Sequence, residues 1–352
     1  MIIKDLFGKM PCGCDVYSYL LKNKSGASVK IITLGATIVS INVPDKNGIL
    51  SDVVCGYDDV TSYLNNSGYQ GAIIGRYGNR IENSSFVLDK QEYKLFNNEG
   101  NNHLHGGKSG FDKKIWDASA WEENETMFLK MSYISKDMEE GYPGNLSVDI
   151  LYSFDENNRF SINYRAKTDK KTVLNLTNHA YFNLSGYDSY KSIENHSLWI
   201  DSDKITAINK QLIPNGEVID VTNTPFDFRA LKLIGKEINA DNEILRIGQG
   251  YDHNYILNNN SDYKHVLTLI DNESKRMLKL YTNQPCIQIY TANCINEEEG
   301  PFKNGIPQKK RCAICLETQH APNSPNIPQF KSTELDVGEE YNYTTTFEFE
   351  NI

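Results

Sequence analysis

The chain has 352 residues and a net charge of −10, with 39% hydrophobic and 23% charged residues, which is a globular composition able to form a sizeable core. This acidic balance argues against a nucleic-acid-binding protein, which needs a clustered basic face. No apolar run is long enough to span a bilayer, and the first residues lack the pattern of a signal peptide, so we expect a cytoplasmic protein.

Seven cysteines are scattered along the chain, and an odd number at irregular spacings favours free thiols over a disulfide framework. Cys312 and Cys315 have the spacing of half a zinc or redox motif. Because no second pair stands at zinc-ribbon spacing and no βαβ pattern surrounds them, we discount a zinc or redox role.

Alternation of apolar and polar residues predicts β-strands along most of the chain, because successive side chains of a strand point to opposite faces of a sheet. Turns at 35–36, 155–158 and 271–274 join them into hairpins. In chain order, the clearest strands are 29–34, 37–43, 146–154, 160–164, 266–270, 277–281 and 343–349.

Helical periodicity is weak, with short candidate helices at 58–63 and 231–238. Many strands with few helices favour an all-β protein whose antiparallel sheets pack in a single domain over residues 1–352.

Two segments in the first third of the chain carry polar residues that strands and turns do not require. Arg76 and Arg80 lie four residues apart with glycines between them, which fits donors to sugar hydroxyls or a salt-bridged turn. His103 and His105 would share one face of a strand, which fits a metal-binding pair or structural histidines. The two glycines that follow His105 predict a close approach of the backbone to another group.

Two later segments contain candidate proton-transfer groups. His179 stands among amides and a hydroxyl in the strand-like stretch 174–184, where an imidazole can move protons near neutral pH or serve as a structural residue. Glu317 follows an apolar strand and precedes a proline-containing loop. A buried carboxylate there would have a raised pKa, as a general base requires, whereas the alternative is a surface glutamate.

Taken in this order, the segments resemble the aldose 1-epimerase (galactose mutarotase) family over nearly the whole chain. The most specific elements are Leu104-His105-Gly106-Gly107 and the stretch Asn178-His179-Ala180-Tyr181-Phe182-Asn183-Leu184. Small departures are Tyr77-Gly78, where relatives often have Val-Ala, and Cys294, where a different small residue is common. Further matching stretches are 34–36, 43–48, 52–57, 75–81, 213–217, 224–229, 250–255 and 316–319.

The resemblance implies a large antiparallel β-sandwich, the galactose mutarotase-like supersandwich with a few short helices, and a sugar cleft on one sheet. It implies interconversion of the α and β anomers of free aldoses such as D-galactose and D-glucose, through acid/base-catalysed ring opening and closure. It implies no metal, nucleotide or redox cofactor.

Carried over to this chain, the resemblance makes Glu317 the general base and His179 the general acid. Arg76 would support the site rather than touch the sugar. The side chains implied to bind the sugar or line its pocket are Arg80, His105, Asp252, Asn79, Gln288 and Tyr290.

Two other functions are compatible with the same scaffold. A hexose-6-phosphate 1-epimerase would need extra cations near the sugar C6, for which Lys108, Lys113 and Lys114 are the candidates. A non-catalytic carbohydrate-binding protein should lack the acid or the base, and this chain has both. We expect no nucleic-acid or membrane partner and a monomer or weak dimer.

Overall fold

The computed structural model describes residues 1–65, 67–295 and 297–352. These residues form 28 β-strands and two short α-helices, Val60–Asn65 and Glu243–Ile247, and the strand ladders are antiparallel. The all-β prediction is confirmed. No helix in the described part of the chain has the length and apolar character needed to cross a membrane.

The largest sheet has nine strands and contains the expected hairpins with turns at 155–158 and 271–274, whereas the hairpin around 35–36 lies in the N-terminal sheet. The strand Tyr341–Asn351 lies in its middle and pairs with one strand of each of two hairpins. In spatial order the nine strands are Asp117–Glu123, Thr126–Ser135, Leu146–Phe154, Arg159–Thr168, Tyr341–Asn351, Arg276–Thr282, Lys264–Asp271, His196–Ile200 and Lys232–Leu233.

A six-stranded sheet and a five-stranded N-terminal sheet pack with the nine-stranded sheet. The six-stranded sheet runs in the order Tyr181–Phe182, Ile314–Gln319, Cys286–Tyr290, Asp252–Ile256, Lys204–Ile208 and Pro214–Asp220. The N-terminal sheet consists of Ile2–Lys9, Asp15–Lys22, Ser28–Ile32, Thr37–Pro44 and Leu50–Asp52.

Short paired strands and 3₁₀ turns complete the described fold. The pairs are Ile73–Ile74 with Thr177–Asn178, Arg80–Ile81 with His103–Leu104, Ser85–Leu88 with Gln91–Lys94, and Thr172–Val173 with Glu334–Leu335. The 3₁₀ turns are Glu82–Ser84, Phe111–Lys113, Glu139–Gly141, Tyr187–Ser189, Ile193–Asn195, Ile234–Lys236, Glu297–Glu299, Lys303–Gly305 and Ser324–Asn326.

One continuous hydrophobic core joins the three large sheets, which is the arrangement of a β-sandwich. Alternation along the strands supplies it: every second residue of Leu146–Phe154 is buried, as the sequence pattern predicts. Core residues contributed by the nine-stranded, six-stranded and N-terminal sheets include Leu129, Ile150, Phe347, Ile287, Leu316, Ile31 and Ile41.

The helix predicted at 58–63 is confirmed by Val60–Asn65, whereas the helix predicted at 231–238 is wrong. The latter segment forms a two-residue strand and a 3₁₀ turn. Gly235 disfavours a helix, and a Cβ there would lie 2.8 Å from the Glu194 side chain, so the segment packs closely against a neighbouring turn.

Candidate active site

Strand alternation in the six-stranded sheet brings three of the candidate site residues to one face. In Ile314–Gln319, Ile314 and Leu316 enter the core while Glu317 points to the opposite face. Gln288 is the direct cross-strand partner of Glu317, and Asp252 lies on the next strand, where its amide neighbour Gln288 donates to Oδ1 at 2.6 Å. The sheet therefore builds a polar row from residues far apart in sequence.

His179 reaches the same face from the connection between two short strands. Tyr181 pairs with Cys315, and continuing that antiparallel register places His179 opposite Glu317. The His179 N–H donates to the Ala72 carbonyl at 3.0 Å, which anchors the backbone behind the imidazole.

Asn79, Arg80 and His105 come from two chain segments that meet beside the sheet, where the short strands Arg80–Ile81 and His103–Leu104 pair. His105 donates its backbone N–H to the Asn79 carbonyl, and the Asn79 N–H donates to Nδ1 of His105, both at 3.2 Å. Asn79 and His105 both have positive φ, so these contacts set an unusual backbone turn. Because Nδ1 accepts, the neutral imidazole carries its proton on Nε2 and is a hydrogen-bond donor there.

A cleft of about 220 Å³ collects all eight residues predicted to form the site. Its lining also includes Glu99 and several apolar and aromatic side chains. The eight predicted residues that line it are Asn79, Arg80, His105, His179, Asp252, Gln288, Tyr290 and Glu317.

Glu317 and His179 form the innermost pair of this cleft. Oε1 of Glu317 lies 3.6 Å from Nε2 of His179, and the two residues are only 2% and 5% exposed. Within the described residues, Glu317 Oε2, His179 Nδ1 and Gln288 Oε1 have no hydrogen-bond partner. Buried polar atoms without partners are costly, and each of these three atoms belongs to a residue that lines the cleft.

Burial controls the ionisation of these groups. It raises the pKa of Glu317 well above its ordinary value, and the negative charge of Asp252 adds to this while Arg80 opposes it. Burial lowers the pKa of His179 to about 4 and holds that of His105 well below the usual range. Burial also raises the pKa of Asp252, against the attraction of Arg80. A dry site with perturbed carboxyl and imidazole groups is typical of acid/base catalysis.

Residues 17–348 match the family model described as aldose 1-epimerase. The chain belongs to the aldose 1-epimerase family. A galactose mutarotase from Homo sapiens is 38% identical over 351 residues, covering 99% of this chain and 98% of that protein. An aldose 1-epimerase from Escherichia coli K12 is 35% identical over 332 residues, 94% of each chain.

Solved structures agree with the fold of this aldose epimerase. A galactose 1-epimerase from Lactobacillus acidophilus has a TM-score of 0.87 at 26% identity, covering 100% of this chain and 99% of that one. An aldose epimerase homologue from Caenorhabditis elegans has a TM-score of 0.86 at 28% identity, covering 95% and 98%. The predicted family, supersandwich fold and enzyme class are thereby confirmed, whereas the residue roles stay predictions.

Among the lining residues of this epimerase that were not predicted, Glu99 and Tyr69 contact predicted site residues. Glu99 holds the Arg80 guanidinium with two hydrogen bonds of 2.7 Å, from Nε and Nη2. Tyr69 packs its ring 4.7 Å from that of His105 and 6.1 Å from that of His179. Neither residue lies in a polar motif. Their place in the cleft is seen only from their contacts with residues that are distant in sequence.

Arg76 and His103 lie in the predicted motifs but serve the framework. Arg76 is buried and donates to a hydroxyl and four backbone carbonyls, of Ser135, Lys136, Pro143 and Gly144. His103 bonds through its two ring nitrogens to the Phe96 carbonyl and the Tyr142 hydroxyl, each at 2.7 Å. The idea that His103 and His105 share a face is wrong, because the strand ends at Leu104 and His105 has a positive φ.

His105, His179 and Glu317 could in principle hold a metal ion, since their ligand atoms all lie within 4.8 Å of one another. An ion bound there would occupy the same lone pairs that proton transfer requires. The Gly106 backbone, in contrast, approaches protein rather than ligand, because a Cβ at Gly106 would lie 1.9 Å from the Gly75 carbonyl oxygen.

The three lysines considered for phosphate binding do not line the cleft. Lys113 donates to the Tyr63 carbonyl and lies 3.3 Å from Asp112, and Lys114 pairs with Glu139 at 2.7 Å. Lys108 lies over the Phe96 ring. Among the described lining residues, Arg80 is the single Lys or Arg side chain.

A larger groove of about 610 Å³ lies at the N-terminal sheet but offers no comparable chemistry. Its buried Lys303 donates to the carbonyls of Val39 and Val54 and to the carboxylate of Asp52. All three ammonium protons are therefore used within the protein.

Proposed function

We propose that the protein interconverts the α and β anomers of free aldoses such as D-galactose and D-glucose, with Glu317 as the general base and His179 as the general acid. The observation that carries this proposal is the buried Glu317–His179 pair, which lines a cleft of about 220 Å³ and contains an oxygen and a nitrogen atom without a hydrogen-bond partner. The names of the relatives, galactose mutarotase and aldose 1-epimerase, support the same activity.

The reaction needs two proton transfers at oxygens bonded to one carbon. Glu317 removes the proton of the C1 hydroxyl while His179 donates a proton to the ring oxygen, and the C1–O5 bond breaks to give the open aldehyde. Rotation about C1–C2 exposes the other face of the carbonyl, and closure returns both protons. Because O1 and O5 share a carbon, they lie close together, so an acceptor and a donor 3.6 Å apart can each reach one of them.

The remaining side chains hold the sugar in this position. Nε2 of His105 is a neutral donor for a hydroxyl or the ring oxygen. Asp252 accepts from sugar hydroxyls, and Gln288 both steadies Asp252 and offers its free Oε1. Arg80 adds charge-assisted donors, with its orientation set by Glu99.

The two alternatives have less support. A hexose-6-phosphate epimerase would need cations at the cleft, and Arg80 is already paired with Glu99. A non-catalytic binding protein would have no need of a buried carboxyl and imidazole within 3.6 Å of each other. A cytoplasmic location and a monomeric or weakly dimeric state remain part of the proposal, and the seven free cysteines agree with a reducing compartment.

Polarimetry tests the activity directly. Crystalline α-D-galactose or α-D-glucose is dissolved, and the optical rotation is followed with and without protein. We expect faster approach to the same final rotation, unchanged by a chelator. No acceleration with any free aldose would overturn the proposal.

Substitution tests the two assigned roles. Glu317→Gln and His179→Asn should each lower kcat by about 10²- to 10⁴-fold, the usual contribution of one positioned acid or base. Circular dichroism should show an intact fold in both variants. His265→Asn, a histidine on the nine-stranded sheet outside the cleft, is the matched control and should keep full activity. Wild-type turnover in either site variant would show that its role is assigned wrongly.

A further inference from the structure

The turn between the first two strands of the N-terminal sheet carries two cysteines, Cys12 and Cys14, that are separated by one glycine. We propose that they form a thiol–disulfide exchange site, which reacts with low-molecular-weight disulfides and closes to an intramolecular Cys12–Cys14 disulfide. This site is separate from the sugar cleft, because neither cysteine lines it.

The backbone of the turn holds the two thiols together. Lys9 and Asp15 are the last paired residues of the strands, and their side chains form an ion pair of 2.5 Å. The Met10 N–H donates to the Cys14 carbonyl and the Gly13 N–H donates to the Met10 carbonyl, both at 2.8 Å. Gly13 has a φ of 87°, which a glycine adopts without strain and which folds the chain back on itself.

The two sulfur atoms lie close together in residues that are exposed to solvent. Sγ of Cys12 lies 2.7 Å from Sγ of Cys14, and both residues are exposed. A bulky disulfide can therefore reach either sulfur, and the partner thiol is in contact with the one attacked. Nearby thiols on a short loop favour ring closure, because little chain entropy remains to be lost.

The two thiols are not equivalent. The contact with the Cys14 thiol and a hydrogen bond with the Cys14 backbone lower the pKa of Cys12, while the contact with the Cys12 thiol raises the pKa of Cys14. Cys12 is thus the nucleophile, because thiol exchange proceeds through the thiolate, and Cys14 is the resolving thiol.

The exchange takes two balanced steps. The Cys12 thiolate attacks one sulfur of RS–SR, forming a Cys12–S–S–R bond and releasing one thiolate, which takes the proton lost by Cys12. The Cys14 thiolate then attacks the Cys12 sulfur, forming the Cys12–Cys14 bond and releasing the second thiolate, which takes the Cys14 proton. The protein dithiol is oxidised and RS–SR is reduced to two thiols.

The other cysteines provide an internal comparison. Cys294 is exposed at the rim of the cleft and differs from Cys12 in having no second exposed cysteine beside it in the sequence. Cys55, Cys286 and Cys315 are buried. We therefore expect Cys294 to stop at a mixed disulfide, whereas the Cys12–Gly13–Cys14 turn goes on to a ring.

Mass spectrometry of the full chain tests this proposal. The reduced protein is treated with glutathione disulfide, its remaining thiols are alkylated, and the peptides are analysed. The peptide with Cys12 and Cys14 should lose two hydrogen atoms and carry no glutathione, and excess reduced glutathione should restore both thiols. Cys14→Ser should trap glutathione on Cys12, and Cys12→Ser should react more slowly at Cys14.

Two results would overturn the proposal. One is a wild-type turn that keeps two alkylatable thiols under conditions that modify Cys294. The other is a turn that carries one glutathione on each cysteine, since this would show that the second thiol does not resolve the first. Both serine variants should keep full epimerase activity. The test of the thiol site is therefore independent of the proposed sugar reaction.

Discussion

Burial moves the pKa values of Glu317 and His179 in opposite directions, upward for the carboxyl and downward for the imidazole. Below the His179 pKa of about 4 both groups are protonated, and far above the ordinary glutamic acid range both lose their protons. Between these limits the pair holds one proton, on either the imidazole or the carboxyl. In the proposed mechanism, ring opening begins with Glu317 as a carboxylate and His179 as an imidazolium and ends with a neutral carboxyl and a neutral imidazole. The pair would therefore hold one proton before the transfer and one after it.

The pH dependence of kcat/KM should show this one-proton state, because kcat/KM reports the pKa values of the free enzyme. We expect a rate that is flat through neutral pH, falls on the acid side near pH 4 as the pair gains a second proton, and falls on the alkaline side only when the last proton leaves. Polarimetric rates across pH measure this, with circular dichroism confirming the fold at each pH. An acid limb near 6.5, the ordinary histidine value, would contradict the role of burial.

Glu99 should act as a positioning residue for Arg80. The guanidinium is 11% exposed and Glu99 is 35% exposed, so water screens the pair and its contribution is about 1 kcal/mol. Glu99→Gln should raise KM about fivefold and leave kcat nearly unchanged. Asp227→Asn is the matched control, since Asp227 holds Arg229 with the same two-bond geometry outside the cleft. An unchanged KM for Glu99→Gln would show that Glu99 does not position Arg80 for sugar binding.

At the residue scale, the sequence identified cleft residues that lie in family motifs. It did not identify residues whose role depends on tertiary contacts. Six of the eight predicted site residues lie in family motifs, Gln288 and Tyr290 lie outside them, and the structure brings all eight together. Glu99 lies outside the motifs, and only the structure shows that it pairs with Arg80. His103 looks like a site residue in sequence, but its two buried hydrogen bonds show that it holds the core.

At the scale of strands, the site is built by two features: the alternation of side chains along each strand and the register between neighbouring strands. Glu317 and Gln288 are opposite each other in one ladder, and Asn254 is the partner of Gln288 in the next. The faces of these strands follow from period-two alternation, which can be read from sequence. The pairing order of the strands cannot be read from the sequence, because it depends on contacts between residues far apart in the chain.

Gly106 is the position where the loop beside the sheet tolerates no side chain. It combines a φ of 87° with a Cβ position 1.9 Å from the Gly75 carbonyl oxygen. Gly106→Ala should lower the melting temperature strongly and reduce kcat, because His105 precedes it. Gly100→Ala is the matched control: its φ is 60° and its Cβ would meet nothing within 4 Å, so it should cost only about 1–2 kcal/mol. Equal melting temperatures for the two variants would show that the close backbone contact is unimportant.

The wrong prediction of a helix at 231–238 shows that a short periodic pattern does not determine secondary structure by itself. Ile234 and Ile238 are buried, which satisfies a helical spacing, yet Leu198 pairs with Lys232 and Gly235 packs on a neighbouring turn. Tertiary contacts override weak propensity in such a short segment.

For the whole molecule, one core shared by the three large sheets supports the prediction of a single domain, which stays a prediction. The same packing explains the depth of the site. The six-stranded sheet buries one face against the core and turns the other toward the cleft, so Glu317 and His179 are buried although they line an open cleft.

The net charge of −10 should make the epimerase discriminate against phosphorylated sugars. A phosphate dianion would approach an acidic protein whose described cleft offers one cation, Arg80, already paired with Glu99. We expect kcat/KM for glucose 6-phosphate to be at least about tenfold below that for glucose, since losing about 1.4 kcal/mol of binding corresponds to a factor of ten. Added salt should narrow the gap by screening the phosphate, while the rate with free glucose stays constant. Equal rates at low salt would instead support a hexose-6-phosphate epimerase and would require a phosphate site outside the lining described here.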